Sequence, residues 1–144
     1  MKFIAVFIVI LIVAGLAYIR LAPSNANDWH VSSYPTVPGQ YARDGGYTVV
    51  QFLDTPPDAV LAEIDRIIMA TDRTTRLAGS PDEGMTTYVT RSLVFGFPDY
   101  TTVEARTVAE GTILIVNGRL RFGRSDLGVN QSRISGWMDQ FTLS

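Results

Sequence analysis

The densest group of chemically capable side chains lies between Asn117 and Arg133, in the run NGRLRFGRSDLGVNQSR. Arg119 and Arg121 share one face of a predicted strand, because strand side chains repeat every two residues, and Leu120 and Phe122 point the other way. Gly123 and Gly128 bracket a tight excursion holding Arg124, Ser125 and Asp126. A helix is predicted to start at Asn130, a natural N-cap, which places Arg133 in its first turn. A cation there opposes the helix macrodipole by roughly a few tenths of a kcal/mol, so a compensating partner is expected. Asp126 is the nearest carboxylate able to accept a bidentate guanidinium. Two chemistries follow. In one, Asp126 is a latch that closes the turn and ties Arg133 or Arg121 to the strand end. In the other, Arg121, Arg124 and the helix amino terminus hold a phosphate or carboxylate. The latch is preferred, since arginine–aspartate networks are common and the chain has acids to spare.

Elsewhere the chemistry is sparse. His30 is the single histidine, and Ser32 and Ser33 follow it closely. A base and a nucleophile so close together in a flexible connector rarely reach the fixed geometry of a triad. His30 is expected instead to pack beside Trp29 and cap a turn. Asp82-Glu83 sits in a Gly/Ser/Pro turn without the spaced acids of a calcium loop. Asp99, after Pro98, is read as shaping a turn. No Walker loop, G-x-G-x-x-G or G-x-S-x-G occurs. With no cysteine, the chain has no disulfide, cysteine zinc site, thiol nucleophile or acylated lipoprotein cysteine, and one histidine excludes a multi-histidine metal centre. No metal and no cofactor is expected. A net charge of −2 argues against nucleic acid as a partner.

The elements that must position these residues fit one domain in 144 residues, preceded by a membrane segment. Residues 3–19 read FIAVFIVILIVAGLAYI, without a charge. As a helix they span roughly 26 Å, near the lower limit for a bilayer, and Arg20 can snorkel so that Leu21 and Ala22 extend the span. Residues 1–22 are therefore read as a transmembrane anchor. Lys2 and the amino terminus precede it, which predicts a cytoplasmic amino terminus and a periplasmic remainder in a bacterial inner membrane. Cleavage at Gly15-Leu16-Ala17 as a signal peptide is the competing reading. Beyond the span, ten arginines face fourteen acids, and this net negative charge predicts no attraction to an acidic membrane surface.

Residues 23–46 read as a connector rich in proline and glycine, in which Trp29, Tyr34 and Tyr41 are more aromatic than a free tether needs. At least Trp29 is expected to pack on the domain or sit at the headgroup level. Residues 47–144 are expected to form an α+β domain. Tyr47–Leu53 is a strand, and Thr55-Pro56-Pro57-Asp58 opens a helix, with Thr55 as cap and Asp58 completing a capping box. Its buried face is Val60, Leu61, Ile64, Ile67 and Ile68. Further strands are read over residues 73–78, 86–95, 100–108 and 112–122. The last helix carries Ile134, Trp137, Met138 and Phe141 at helical spacing, with Gly136 allowing close approach to the sheet. The order β-α-β-β-β-β-α predicts an antiparallel sheet of about five strands with two helices on one face.

The run Gly123-Arg124-Ser125-Asp126-Leu127-Gly128-Val129-Asn130, followed by Arg133, resembles the G-x-S-D-x-G-V-N-x-x-R signature of the family called domain of unknown function 1499. Arg121, two positions before the glycine, fits that pattern. Arg76-Leu77-Ala78-Gly79-Ser80, Gly96-Phe97-Pro98-Asp99-Tyr100 and Arg20-Leu21-Ala22-Pro23-Ser24, with Trp29-His30 a few residues later, are similar to its membrane-anchored bacterial branch. Shorter members carry N-C-V-S-S where this chain has Trp29-His30-Val31-Ser32-Ser33, and tend to have arginine at the place of Asn117. The resemblance implies a small membrane-linked domain and no particular activity.

Three functions are open on these residues. The first is a non-enzymatic, membrane-anchored accessory domain that binds or stabilises an integral membrane protein complex, with Ala14 and Gly15 offering a helix-packing surface. The second is a carrier or sensor for an apolar or anionic small ligand, with Arg119, Arg121 and Arg124 at the polar end of a pocket. The third is a hydrolase using His30, Ser32 or Asp126.

Overall fold

The computed structural model describes residues 1–32 and 35–143. Ser33 and Tyr34, named above as a nucleophile type and a connector aromatic, lie outside the described residues. Helix α1 (Lys2–Leu21) is followed by a one-turn helix α2 (Ala26–Trp29), then β1 (Gly39–Arg43) and β2 (Gly46–Leu53). Helix α3 (Pro57–Met69) leads to β3 (Thr74–Ser80), β4 (Met85–Arg91), β5 (Pro98–Val108) and β6 (Gly111–Leu120), and α4 (Val129–Gln140) closes the chain. The class is α+β, as expected.

The sheet has six strands, all antiparallel, in the order β1-β2-β6-β5-β4-β3. The additional strand, β1, lies inside the segment read as connector. It pairs Arg43 with Gly46 across a two-residue Asp44-Gly45 turn, with Gly45 at φ +66°. Such a turn matches the strand twist and needs positive φ, which glycine supplies. The strand β6 is central, as its doubly apolar run Ile113–Val116 requires; all four of those residues are buried.

One face of the sheet carries α3 and α4. Val60, Leu61, Ile64, Ile67 and Ile68 of α3, with Ile134 and Trp137 of α4 and Phe141 just after it, pack on Val49, Leu53, Tyr88, Val103, Leu114 and Val116. Burial of these apolar surfaces is the main stabilising term of the domain, at about 25 cal/mol per Å². Helix α3 starts with Pro57, and its cap position is Pro56 rather than Thr55, without a side-chain capping bond. Helix α4 starts one residue before the expected place, with Gly128 at φ +79° as cap and Asn130 inside the first turn. Gly136 faces open space, with nothing within 4 Å of an added Cβ, so it is not the close-packing glycine. That role belongs to Gly118 on β6, where a Cβ would lie 2.7 Å from Asn130 Oδ1 and 2.9 Å from Ile134 Cδ1.

The other face is covered by the connector, which is a strap and not a tether. Trp29 stacks on Tyr100 with ring centroids 3.8 Å apart, and His30 Nδ1 lies 3.0 Å from Thr87 Oγ1. Under the strap the sheet is buried and partly polar, with Thr48, Thr87, Thr102 and Asn117 all inaccessible.

Two strands end earlier than the β-rich composition suggests. Strand β4 stops at Arg91. Ser92 and Phe97 close a turn through Ser92 N–H to Phe97 O at 2.9 Å and Phe97 N–H to Ser92 Oγ at 3.0 Å, leaving residues 93–95 at its tip. Strand β6 stops at Leu120, so Arg121 and Phe122 lie past its end.

Candidate functional site

The run from Asn117 to Arg133 leaves the sheet at one end, beside the β1–β2 turn and the β4–β5 turn, and enters α4. The helix α1 joins the domain at this same end. Its Arg20 donates to Val94 O at 3.3 Å, and Tyr18 meets Phe122 edge-on with centroids 6.2 Å apart. Arg121 completes the joint. Its Nη1 donates to Pro23 O and to the Tyr100 hydroxyl, each at 3.0 Å, and Ser24 Oγ lies 2.6 Å from that same hydroxyl. Anchor and domain are thus fastened through backbone carbonyls that have just left a helix and would otherwise need water.

Arg119 lies on the same sheet face, as period-two alternation requires. Its Nη2 donates to Trp29 O at 2.6 Å and Thr102 Oγ1 at 2.7 Å, with the guanidinium carbon 5.3 Å from the Trp29 ring centroid. Thr102 in turn lies 2.9 Å from Thr87 Oγ1, the partner of His30. Arg43 reaches Thr48 Oγ1 at 2.8 Å and Asn117 Oδ1. Trp29, His30 and Arg119 therefore act together to hold the strap on the sheet. Ser32 is hydrogen-bonded to Glu104, which also pairs with Arg106.

On the helix-bearing face, Asp126 closes the turn before α4. Its Oδ2 accepts from Asn130 N–H at 2.9 Å and Asn130 Nδ2 at 2.7 Å, and its Oδ1 accepts from Gly128 N–H at 3.1 Å. Burial pushes this carboxyl up, but the Asn130 and Gly128 donors outweigh burial and hold it below the usual range. The positive end of α4 thus already holds an anion, the Asp126 carboxylate. Ser125 Oγ accepts from Leu127 N–H at 3.2 Å, in the turn where Leu127 adopts φ +53°. Arg124 is exposed, and its side chain makes no hydrogen bond or ion pair among the described residues.

The expected Arg133–Asp126 pair does not form. Both terminal nitrogens of Arg133 lie 3.2 Å from Asp99 Oδ2, with the two side chains only 13% and 14% exposed. Asp99 stands at the start of β5 and faces α4 directly, whereas Asp126 is spent on the backbone before the helix. Burial raises the Asp99 carboxyl, and the Arg133 charge pulls it back only in part. Arg121 also leaves Asp126 alone. The seven expected site residues therefore separate into a strap-holding pair (Arg119, Arg121), a helix-start group (Ser125, Asp126, Asn130, Arg133) and a free cation (Arg124). They do not converge on one anion.

Sequence reasoning missed three features. Asp99 was visible as an acid after a turn proline, yet its partner was not. Asp65 on α3 receives Arg76 at 2.8 and 2.5 Å and the Tyr88 hydroxyl at 2.8 Å; burial pushes Asp65 up, and these donors more than reverse it. The third is a segregation of charge that the net value hides. Arg20, Arg73, Arg91, Arg121 and Arg124 lie at the α1 end of the sheet, while Asp54, Asp58, Asp82, Glu83 and Glu110 lie at the opposite end. Of the acids at the α1 end, Asp99 and Asp126 are internally satisfied, while Asp44 and Asp72 are exposed.

Two open grooves flank the joint. One, of about 400 Å³, is lined by Arg20, Arg73, Arg91, Ser92, Leu93 and Gly96. The other, of about 340 Å³, runs over Phe97, Leu120, Phe122, Leu127 and Val129 with Asp99 and Asp126 beneath. Among the described residues, no group of three or more histidine, aspartate or glutamate side chains is placed to hold a metal ion.

The family model described as "Protein of unknown function (DUF1499)" matches residues 20–141. The chain belongs to this family. Its description assigns no activity, and the match begins at Arg20 in the last turn of α1, so it includes Arg20 and Arg121 of the joint but not Tyr18. No curated protein matches the chain. A solved structure similar to it is the X-ray crystal structure of protein MLL2253 from Mesorhizobium loti, at 13% identity and TM-score 0.44, covering 68% of this chain and 99% of that one.

Proposed function

We propose that this member of the family is a non-enzymatic, single-pass accessory domain of the bacterial inner membrane. Its amino terminus lies in the cytoplasm and its α+β domain in the periplasm, where it binds or stabilises an integral membrane protein complex. The observation that carries this reading is the joint between α1 and the domain. Among the described residues, α1 is the one helix long and apolar enough to cross a membrane, and none of its residues is buried. Three contacts, through Tyr18, Arg20 and Arg121, fix the domain to the end of that helix. A domain so fixed rides at the membrane surface and meets neighbours in the same membrane. Gly15, with nothing within 4 Å of an added Cβ, and Ala14 beside it leave room for another helix to approach.

Two features support a non-catalytic role. His30 and Ser32 are engaged with Thr87 and Glu104, respectively, as parts of the strap. Asp126 spends its oxygens on the start of α4. The test is gentle detergent extraction of the tagged full chain from its native membrane, followed by mass spectrometry. The control replaces residues 1–22 with a cleavable periplasmic signal. A stoichiometric membrane complex that requires α1 is the expected result. A lone protein carrying a small molecule would replace this reading with that of a carrier, and a lone empty protein would overturn it.

A further inference from the structure

The end of the domain that bears the joint exposes apolar side chains on two separate loops. Leu93 and Val94 are 71% and 70% exposed, and Leu127 is 93% exposed. Soluble domains rarely cluster large apolar side chains on loop tips without a use for them. Both loops lie beside the last turn of α1. Gly96 sits against the Arg20 side chain, with a Cβ there only 3.0 Å from Arg20 Cγ, and Phe122 sits against Tyr18. Four rings continue from the helix into the first loop: Tyr18 to Phe122 at 6.2 Å, Phe122 to Phe97 at 6.3 Å, and Phe97 to Phe95 at 5.9 Å. Aromatic side chains favour the level where hydrocarbon meets headgroups. Around these tips stand the arginines of the basic end. Arg124 is exposed. Arg73 and Arg91 line the groove beside Arg20; Arg73 Nε donates to Arg91 O at 3.1 Å and lies near the exposed Asp72, and Arg91 Nη1 donates to Gly96 O at 2.9 Å, which holds it beside the loop tip.

We infer that this end of the domain docks on the bilayer itself, with Leu93, Val94 and Leu127 entering the headgroup–acyl boundary and Arg73, Arg91 and Arg124 at the level of the lipid phosphates. The inference rests on the reading of α1 as a membrane span and goes beyond it, because a span alone does not require the domain to touch lipid. The occupant is lipid because both loops flank the last turn of the span. Tyr18 and Arg20 fix their depth, and a guanidinium rim around an apolar tip matches phosphates above hydrocarbon. The opposite end of the sheet, with Asp54, Asp82, Glu83 and Glu110, would be repelled by the same surface.

The chain has no cysteine, so each single-cysteine variant carries one thiol. Full-length Val94→Cys, Leu127→Cys, Ile10→Cys and Asp82→Cys would be labelled with an environment-sensitive nitrobenzoxadiazole probe. They would be reconstituted in vesicles of phosphatidylethanolamine and phosphatidylglycerol, and read by quenching with doxyl lipids of graded depth. The expected result is shallow quenching at positions 94 and 127, at a depth of roughly 5–10 Å, deep quenching at 10, and none at 82. Quenching at 10 without quenching at 94 and 127 would overturn the inference and leave the anchor standing. Absence of quenching at 10 would overturn both. Probes at 94 and 127 that are wet in vesicles but shielded in native membranes would overturn bilayer docking in favour of a protein partner.

Discussion

Truncation of Asp126 to alanine removes the acceptor for three donors at the start of α4: Asn130 N–H, Asn130 Nδ2 and Gly128 N–H. Asn130 is fully inaccessible and packed against Gly118, so its two donors have no ready solvent replacement. A buried donor left without a partner costs about 1–3 kcal/mol. Loss of a negative charge at a helix amino terminus adds about 0.3–1 kcal/mol. Asp126 itself is half-exposed, so water recovers part of this, and the expected loss is about 2–4 kcal/mol. For a domain of this size that corresponds to a fall in Tm of at least about 8 °C. The assay is thermal unfolding of the full chain in detergent, followed by near-ultraviolet circular dichroism. The effect must also depend on pH. The folded Asp126 carboxyl lies below its unfolded value, so the unfolded state binds more protons between the two. The stabilisation is complete above the unfolded value, near pH 4, and is lost as pH falls through the folded value. The gap between wild type and Asp126→Ala must therefore close as the solution is acidified. A Tm change below about 2 °C at neutral pH would refute the latch. So would a gap that widens in acid.

Three further outcomes follow from the same geometry. Arg133→Met leaves the buried Asp99 carboxylate without its cation and is expected to cost about 3–5 kcal/mol, while Asp99→Asn combined with Arg133→Met costs less; urea titration of the single and double variants measures both. Gly118→Ala forces a methyl against Asn130 and Ile134 and is expected to cost about 1–3 kcal/mol in the same titration; an unchanged midpoint would show that α4 does not press on β6 there. His30→Ala removes the bond to Thr87 and is expected to cost about 1 kcal/mol, and Ser32 is expected to take no label from a fluorophosphonate; labelling that His30→Ala abolishes would establish the hydrolase reading instead.

The α+β layer was legible because burial writes a period into the sequence. Val60 to Ile68 and Ile134 to Phe141 repeat at helical spacing, Val103 and Ala105 alternate with Glu104 and Arg106, and Ile113 to Val116 is apolar on both faces. Strand β1 was not legible by that route. It is an edge strand whose pattern, GQYAR, has little to bury, and only the Asp44-Gly45 turn signals it. The end of β4 was misread because Leu93, Val94 and Phe95 are apolar enough for a strand yet sit on an exposed turn closed by Ser92. Of the site, Arg119 lies on β6 as read, Arg121 lies just past the end of that strand, and Asp126 was placed correctly at the turn. Their partners were not readable, because Trp29, Tyr100 and Asp99 come from elsewhere in the chain. Net charge says nothing of placement, because it sums over a fold that puts Asp54, Asp58, Asp82, Glu83 and Glu110 at the end of the sheet away from Arg20, Arg73, Arg91, Arg121 and Arg124.

The central claim is that α1 crosses the membrane and holds the domain on its outer surface. The most direct measurement is labelling of full-length Asp82→Cys in intact spheroplasts with a membrane-impermeant maleimide, followed by an alkaline carbonate wash of the membranes. The account predicts labelling before lysis, with the labelled chain retained in the washed membrane. Labelling only after lysis would contradict the orientation, and release of a labelled chain by the wash would contradict the anchor.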